Sequence, residues 1–311
     1  MIAPEEHAPD PPGDPAEPLR LRLARLRASL WRFRTLDFSQ RLFAGGPEHQ
    51  VLSRPFCGRR LFVDVSRSDV QRLLYLEGER YLAERFLVRR MLRPGDRVVD
   101  VGANIGYYML LFRQLVGAAG RIHCFEPEPE NVAELRRNVR RNRLDGVDVH
   151  PLAAGGADGR ISLHAGINGK VAPDGTGSLT VDLRRLDSVV ADRVDLIKID
   201  VEGYEGHVLA GAEGLLAAHR PALFIEVHPA FLSPPTSLDG IFARLSAHDP
   251  GVSVFAGARH RRLLEKIVSR YRHGAGVSRV LDLPRFLAAC RAGTWTEPFW
   301  VVCDPRRPER S

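Results

Sequence analysis

Lysine is nearly missing from this 311-residue chain: of 45 basic Lys and Arg residues, only Lys170, Lys198 and Lys266 are lysine. The net charge of +7 therefore rests on arginine. With abundant Ala, Gly and Pro, that bias reads as GC-rich coding rather than a surface selected for polyanions. No RNA-binding signature with interleaved aromatics and no zinc finger accompanies it, so nucleic acid is not an expected partner. Cysteine is scarce too. Cys57, Cys124, Cys290 and Cys303 form no C-x-x-C pair and no zinc-like spacing with histidine, and reduced thiols are expected. No uninterrupted apolar run reaches the roughly 18 residues that span a membrane. The chain starts with prolines and acids where a signal peptide would be basic and then apolar, so a cytoplasmic location is expected.

The length suits one domain of about 200–250 residues plus extensions. Residues 1–18 hold six prolines and five acids with no Lys or Arg, a composition that predicts a disordered tail. Residues 19–50 read as a basic helical segment. Leu19, Leu23, Leu26, Leu30 and Phe33 recur at helical spacing, with Arg20, Arg22, Arg25, Arg27, Arg32 and Arg34 between them. Packing of that stripe on the domain or on a second subunit is the simpler reading. Peripheral contact of 19–34 with an anionic membrane is the alternative, and the oligomeric state stays open.

A hairpin is expected at 51–65 around Gly58, and a helix at 79–92 stopped by Pro94-Gly95-Asp96. Strands follow at 98–101, 121–125, 147–150, 194–199 and 222–227. Between them lie helices at 105–116 and 130–142, and one carrying Val208, Leu209, Leu215 and Leu216. This alternation predicts an α/β fold with a doubly wound, mostly parallel sheet, covering 51–256 with a cofactor core at 79–230. Residues 151–193 break the rhythm and read as an inserted β-hairpin followed by a short helix near 186–190. A helix at 238–247 and a strand at 252–255 complete the domain. Residues 257–311 read as a basic C-terminal extension without resolved elements.

Three motifs carry chemistry. Asp100-Val101-Gly102-Ala103-Asn104-Ile105-Gly106 follows the first core strand, where Gly102 and Gly106 let the backbone turn sharply against a ligand. Asp100 would lie beside the crevice and attract the ammonium of an amino-acid moiety. The glycines are not spaced as a G-x-G-x-x-G dinucleotide fingerprint. Phe125-Glu126-Pro127 places an acid at the end of the second strand, where ribose hydroxyls are bound. The run from Ile197 through Asp200, Glu202, Gly203 and Tyr204 to Glu205 ends the fourth strand, and Phe224-Ile225-Glu226-Val227-His228 forms the fifth.

Taken with Asn131, Leu135, Asn138 and Leu186-Asp187, these blocks resemble the FkbM-type methyltransferase family over roughly residues 80–230. The resemblance implies a class I methyltransferase fold, S-adenosyl-L-methionine as donor and transfer to a hydroxyl of a natural product or glycan. The expected cofactor-binding set is Asp100, Gly102, Ala103, Asn104, Gly106, Glu126, Pro127, Asn131, Ala153 and Asp200.

A hydroxyl acceptor needs a base, and His228 is the first candidate because it titrates nearest neutrality. Asp200, Glu202 and Glu226 are expected beside it, orienting the acceptor. Lys198 alternates with Ile197 and Ile199 and is expected to pair with an acid. Asp200, Glu226 and His228 are also compatible with a divalent metal, although no dense ligand motif requires one. Protein or RNA methylation, and a non-catalytic cofactor-binding module, are the competing readings.

Overall fold

The computed structural model describes residues 21, 23, 35–77, 82–164, 170–172, 176–257 and 277–306. The tail expected at 1–18 lies outside them, as does nearly all of the basic segment at 19–34. Of that segment Leu21 and Leu23 are described, both helical, the first buried and the second exposed. The chain divides into two compact units, Met1–Leu52 with Val63–Arg80 and Ser53–Phe62 with Tyr81–Ser311.

The first elements are α1 (Thr35–Phe43), the hairpin of β1 (Val51–Phe56) and β2 (Arg59–Asp64), and α2 (Asp69–Glu77). The hairpin turns at Cys57-Gly58, both at positive φ, as the lone glycine there predicts. Within the first unit, Phe43 of α1 meets Tyr75 of α2 edge-on at 6.2 Å. Sequence periodicity did not single out α2.

The second unit opens with α3 (Leu82–Arg89) and then alternates: β3 (Arg97–Val101), α4 (Tyr107–Val116), β4 (Arg121–Phe125), α5 (Pro129–Arg141) and β5 (Val147–His150). An insert follows, made of β6 (Ala153–Ala154), β7 (Gly159–His164), β8 (Lys170–Val171), β9 (Leu179–Arg184) and α6 (Leu186–Val189). Alternation resumes with β10 (Leu196–Ile199), α7 (Glu205–Ala210), α8 (Glu213–His219) and β11 (Ala222–Val227). After a 3-10 turn at Pro229–Phe231 come α9 (Leu238–His248), β12 (Ser253–Gly257), β13 (Val277–Arg279), α10 (Leu283–Arg291) and β14 (Phe299–Cys303).

Eight strands form one sheet in the order β13-β12-β14-β11-β10-β3-β4-β5, parallel from β5 to β11. Val98, Val99 and Val101 of β3 are at most 1% exposed, so this strand is covered on both faces and reads as a continuous apolar run. The chain steps outward through β4 and β5, then crosses back to β10 and β11. Strand order therefore reverses between β3 and β10, and the crevice outside their carboxyl ends is where folds of this kind bind ligands.

Four features differ from the sequence reading. The insert is a four-stranded sheet, ordered β6-β9-β7-β8, with its own core of Ala153, Leu163, Val181 and Leu183. The helix expected across 208–216 is two helices, because Asp187 accepts the amides of Gly214 and Leu215 at 2.9 Å each and caps the start of α8. Residues 277–303 are no appendage, since β14 lies antiparallel between β11 and β12, pairing Leu223 with Cys303 and Val227 with Phe299. Finally, Asn138 of α5 and Asn142, just past its end, act toward the hairpin as a strand would. Asn138 takes the Phe62 amide at 2.8 Å and gives to the Phe62 carbonyl at 2.9 Å. Asn142 does the same for Arg60 at 2.9 and 2.8 Å.

Candidate active site

The loop leaving β3 passes so close to the turn after β10 that a Cβ on Gly102 (φ +75°) would fall 1.9 Å from the Asp200 carbonyl oxygen. Only glycine fits there. The amides of Gly102 and Ala103 both donate to the Phe125 carbonyl at 3.0 Å, which ties the loop to β4. Asn104, itself at positive φ, donates its amide to Glu126 Oε2 at 2.8 Å, and Gly106 opens α4. Glu126 Oε1 accepts the Glu128 amide at 3.0 Å and Asn131 Nδ2 at 3.3 Å. The carboxyl is buried, and burial raises its pKa to about 7 against the opposing pull of these hydrogen bonds. A carboxylate has about four acceptor positions, so three donors leave room for a ligand hydroxyl. Pro127 follows directly. Ala153 lies in β6, paired with Leu183, and its side chain joins the core of the small sheet.

Asp100 departs from expectation. It is 0% exposed, and its partner is Lys198, its register neighbour on β10, with Nζ 3.3 Å from Oδ1. Lys198 also donates to the Gly102 carbonyl at 3.0 Å, approaches Asp200 Oδ2 at 3.5 Å and sits 4.7 Å above the Tyr108 ring. Burial works to lower the Lys198 pKa, but Asp100 and Asp200 outweigh it and hold it above its ordinary value. The pairing expected for Lys198 is present. Its effect is to lock the glycine loop onto β10.

The ends of β10 and β11 bring together Asp200, Glu202, Glu226 and His228, the four residues expected there. His228 Nε2 lies 3.7 Å from Glu202 Oε2 and 3.9 Å from Glu226 Oε1, beyond hydrogen-bond reach of either. Its Nδ1 is 3.0 Å from Glu205 Oε1. Burial would lower the imidazole pKa, but the Glu205 hydrogen bond and the charges of Glu205, Asp200 and Glu202 carry it up to about 9. His228 was singled out for titrating near neutrality, and these acids move it away from there. Glu226 is raised to about 8 by burial first and by Asp200 second. It also accepts Trp300 Nε1 at 3.3 Å. Glu205 and Trp300 were missed. Glu205 stood inside the quoted motif with no role of its own, and Trp300 reaches the site through the β11–β14 pairing. Among the described residues no group of three or more His, Cys, Asp or Glu is arranged to hold a metal ion.

A doubly wound sheet, a glycine loop after its first core strand and an acid at the end of the next define an adenosyl-binding α/β fold, and the family match makes it a class I methyltransferase. The model for the Methyltransferase FkbM domain matches residues 100–249. The chain is 36% identical to 31-O-demethyl-FK506 methyltransferase FkbM of Streptomyces tacrolimicus, with 44% of this chain and 67% of that protein covered. It is 28% identical to 2-O-methyltransferase NoeI of Sinorhizobium fredii, covering 44% and 65%, and 27% identical to hexuronic acid methyltransferase AglP of Haloferax volcanii, covering 54% and 70%. The matches span about two thirds of the length of these relatives. The chain belongs to the FkbM methyltransferase family.

Its cofactor is S-adenosylmethionine, and the residues fit it. The crevice has a backbone wall without a Cβ at Gly102, a buried Glu126 with acceptor capacity for ribose hydroxyls, and carboxylates of Asp200 and Glu202 suited to a sulfonium.

Proposed function

We propose that this enzyme transfers a methyl group to a hydroxyl oxygen of a sugar or other natural product, in the cytoplasm. The observation that carries the reading is His228, whose Nε2 faces Glu202 and Glu226 with no hydrogen bond to either. A hydroxyl placed there meets a ring nitrogen that accepts a proton once the imidazole is neutral, and carboxylates able to bind its neighbouring hydroxyls, an arrangement suited to a polyol. The relatives act, by their names, on 31-O-demethyl-FK506 and on a hexuronic acid, which supports both acceptor classes. The four cysteines are free and buried, in keeping with a reducing compartment.

S-adenosylmethionine supplies, when bound, an electrophilic methyl on a positively charged sulfur. The protein's work is to align the acceptor with that carbon and to take a proton. His228 Nε2, when its ring is neutral, would take the proton of the attacking hydroxyl. Asp200, Glu202 and Glu226 orient the acceptor.

The test is transfer of labelled methyl from S-adenosylmethionine into a lysate separated into glycan, small-molecule, protein and RNA fractions. We expect label in glycan or small molecules, stable to mild alkali as an ether is. His228→Ala should remove about 10²–10⁴-fold of the rate with affinity for S-adenosylhomocysteine retained. Label confined to protein or RNA, or lost in alkali as an ester, would overturn the reading.

A further inference from the structure

We propose that Glu205 is the positioning residue of the reaction: it holds His228 as the Nδ1–H tautomer, so that Nε2 is the atom presented to the acceptor. The inference rests on the reading of His228 as base and adds what makes it one. Glu205 is 0% exposed, and its Oε1 takes both the Gly203 amide at 2.8 Å and Nδ1 of His228 at 3.0 Å. Its Oε2 is buried with no hydrogen bond among the described residues, so His228 is its counter-charge. A carboxylate only accepts hydrogen bonds. The contact at 3.0 Å therefore requires the proton on Nδ1 and leaves the Nε2 lone pair open whenever the ring is neutral.

The backbone fixes Glu205 as firmly as Glu205 fixes the ring. Gly203 stands at φ +102°, where a Cβ would meet the Phe231 carbonyl oxygen at 2.0 Å. The Gly203 carbonyl accepts the Ser233 amide at 3.0 Å. The turn that carries Glu202 is thus clamped to the segment following His228, with Glu205 beneath both. On Nε2 the facing groups are Glu202 and Glu226, with Asp200 further along the β10 turn. All are acids, so the imidazolium formed when the hydroxyl proton arrives is stabilised, and Glu205 is the nearest of them. An acid in the first turn of α7 would also serve as a simple helix-start residue, a role that places no demand on the histidine.

The decisive measurement is nitrogen-15 NMR of the histidine side chains in the full chain, with His228 assigned by its loss in His228→Gln. In the wild-type protein taken above pH 9, the neutral ring should be the Nδ1–H tautomer, which is the minority form in free histidine. In Glu205→Gln the His228 pKa should fall by at least about one pH unit while affinity for S-adenosylhomocysteine stays within about twofold. The alkaline-rising limb of turnover should move with it. An Nε2–H tautomer in the wild type, or an unmoved His228 pKa in Glu205→Gln, would overturn the proposal. Should Glu205→Gln fail to fold, the wild-type tautomer alone decides. The tautomer, the His228 pKa and the affinity for S-adenosylhomocysteine need no acceptor, so a failure of the hydroxyl assignment shows in the labelling experiment and leaves these three unchanged.

Discussion

At Lys198 a single side chain joins the parts of the site that the sequence keeps far apart. Its ammonium, 2% exposed, neutralises Asp100, leans on Asp200 and grips the Gly102 carbonyl. Removing one member of a buried ion pair costs about 3–5 kcal/mol, because the other is left charged in a medium that cannot solvate it. Lys198→Met should therefore lower the urea-unfolding free energy by that much. Adding Asp100→Asn should recover part of the loss, since the stranded charge goes with it. If the double variant were as unstable as the sum of the singles, the pair would not be the unit described here. Much at this scale was legible. Gly102, Glu126 and the acids after β10 stand in short runs whose chemistry is local. Asp100 was read half correctly: its place beside the crevice followed from the strand end, but its partner depends on a strand register that brings residue 198 alongside.

Elements were legible in proportion to how locally they are specified. The bounds of β4, β5 and β11 agree with expectation because each is a short run rich in β-prone residues and closed by turn residues. The strand at Phe299–Cys303 is equally rich in them, yet it was not placed. Its neighbours are β11 and β12 rather than the elements beside it in the chain. The hairpin was expected, but its anchorage was not, because a side-chain amide that imitates a strand leaves no periodic trace. Asn138 is that anchorage, fully buried and bonded to Phe62 at both backbone groups and to the Ile105 carbonyl at 2.9 Å. Asn138→Leu would strand those groups, each at about 1–3 kcal/mol, for an expected total of about 3 kcal/mol or more. Hydrogen exchange should then accelerate at the Phe62 amide while β3 and β10 keep their protection. Equal loss across the sheet would mean that Asn138 supports the core rather than the hairpin.

Across the whole molecule the buried acids and His228 bias stability in one direction of pH. Glu126 is raised to about 7 and Glu226 to about 8, each chiefly by burial, and His228 to about 9 by its acidic neighbours against burial. A group whose pKa is higher folded than unfolded favours the native state below its unfolded value, and that favour is lost as pH rises through the folded one. For the two glutamates the loss begins above about 4.5 and for His228 above about 6.5. His123 and His150 are lowered, chiefly by burial. They act oppositely, adding stability as pH rises toward their ordinary value of 6.5. Above that point only the falling contributions remain. Thermal unfolding in constant ionic strength should therefore show a midpoint that declines steadily from about pH 6.5 to 9. Glu126→Gln should flatten the early part of that slope and His228→Gln the late part, because each removes one titration from the native state. A midpoint that rose over this range would mean that these groups are not held protonated by the fold, and the burial ascribed to the site would be wrong.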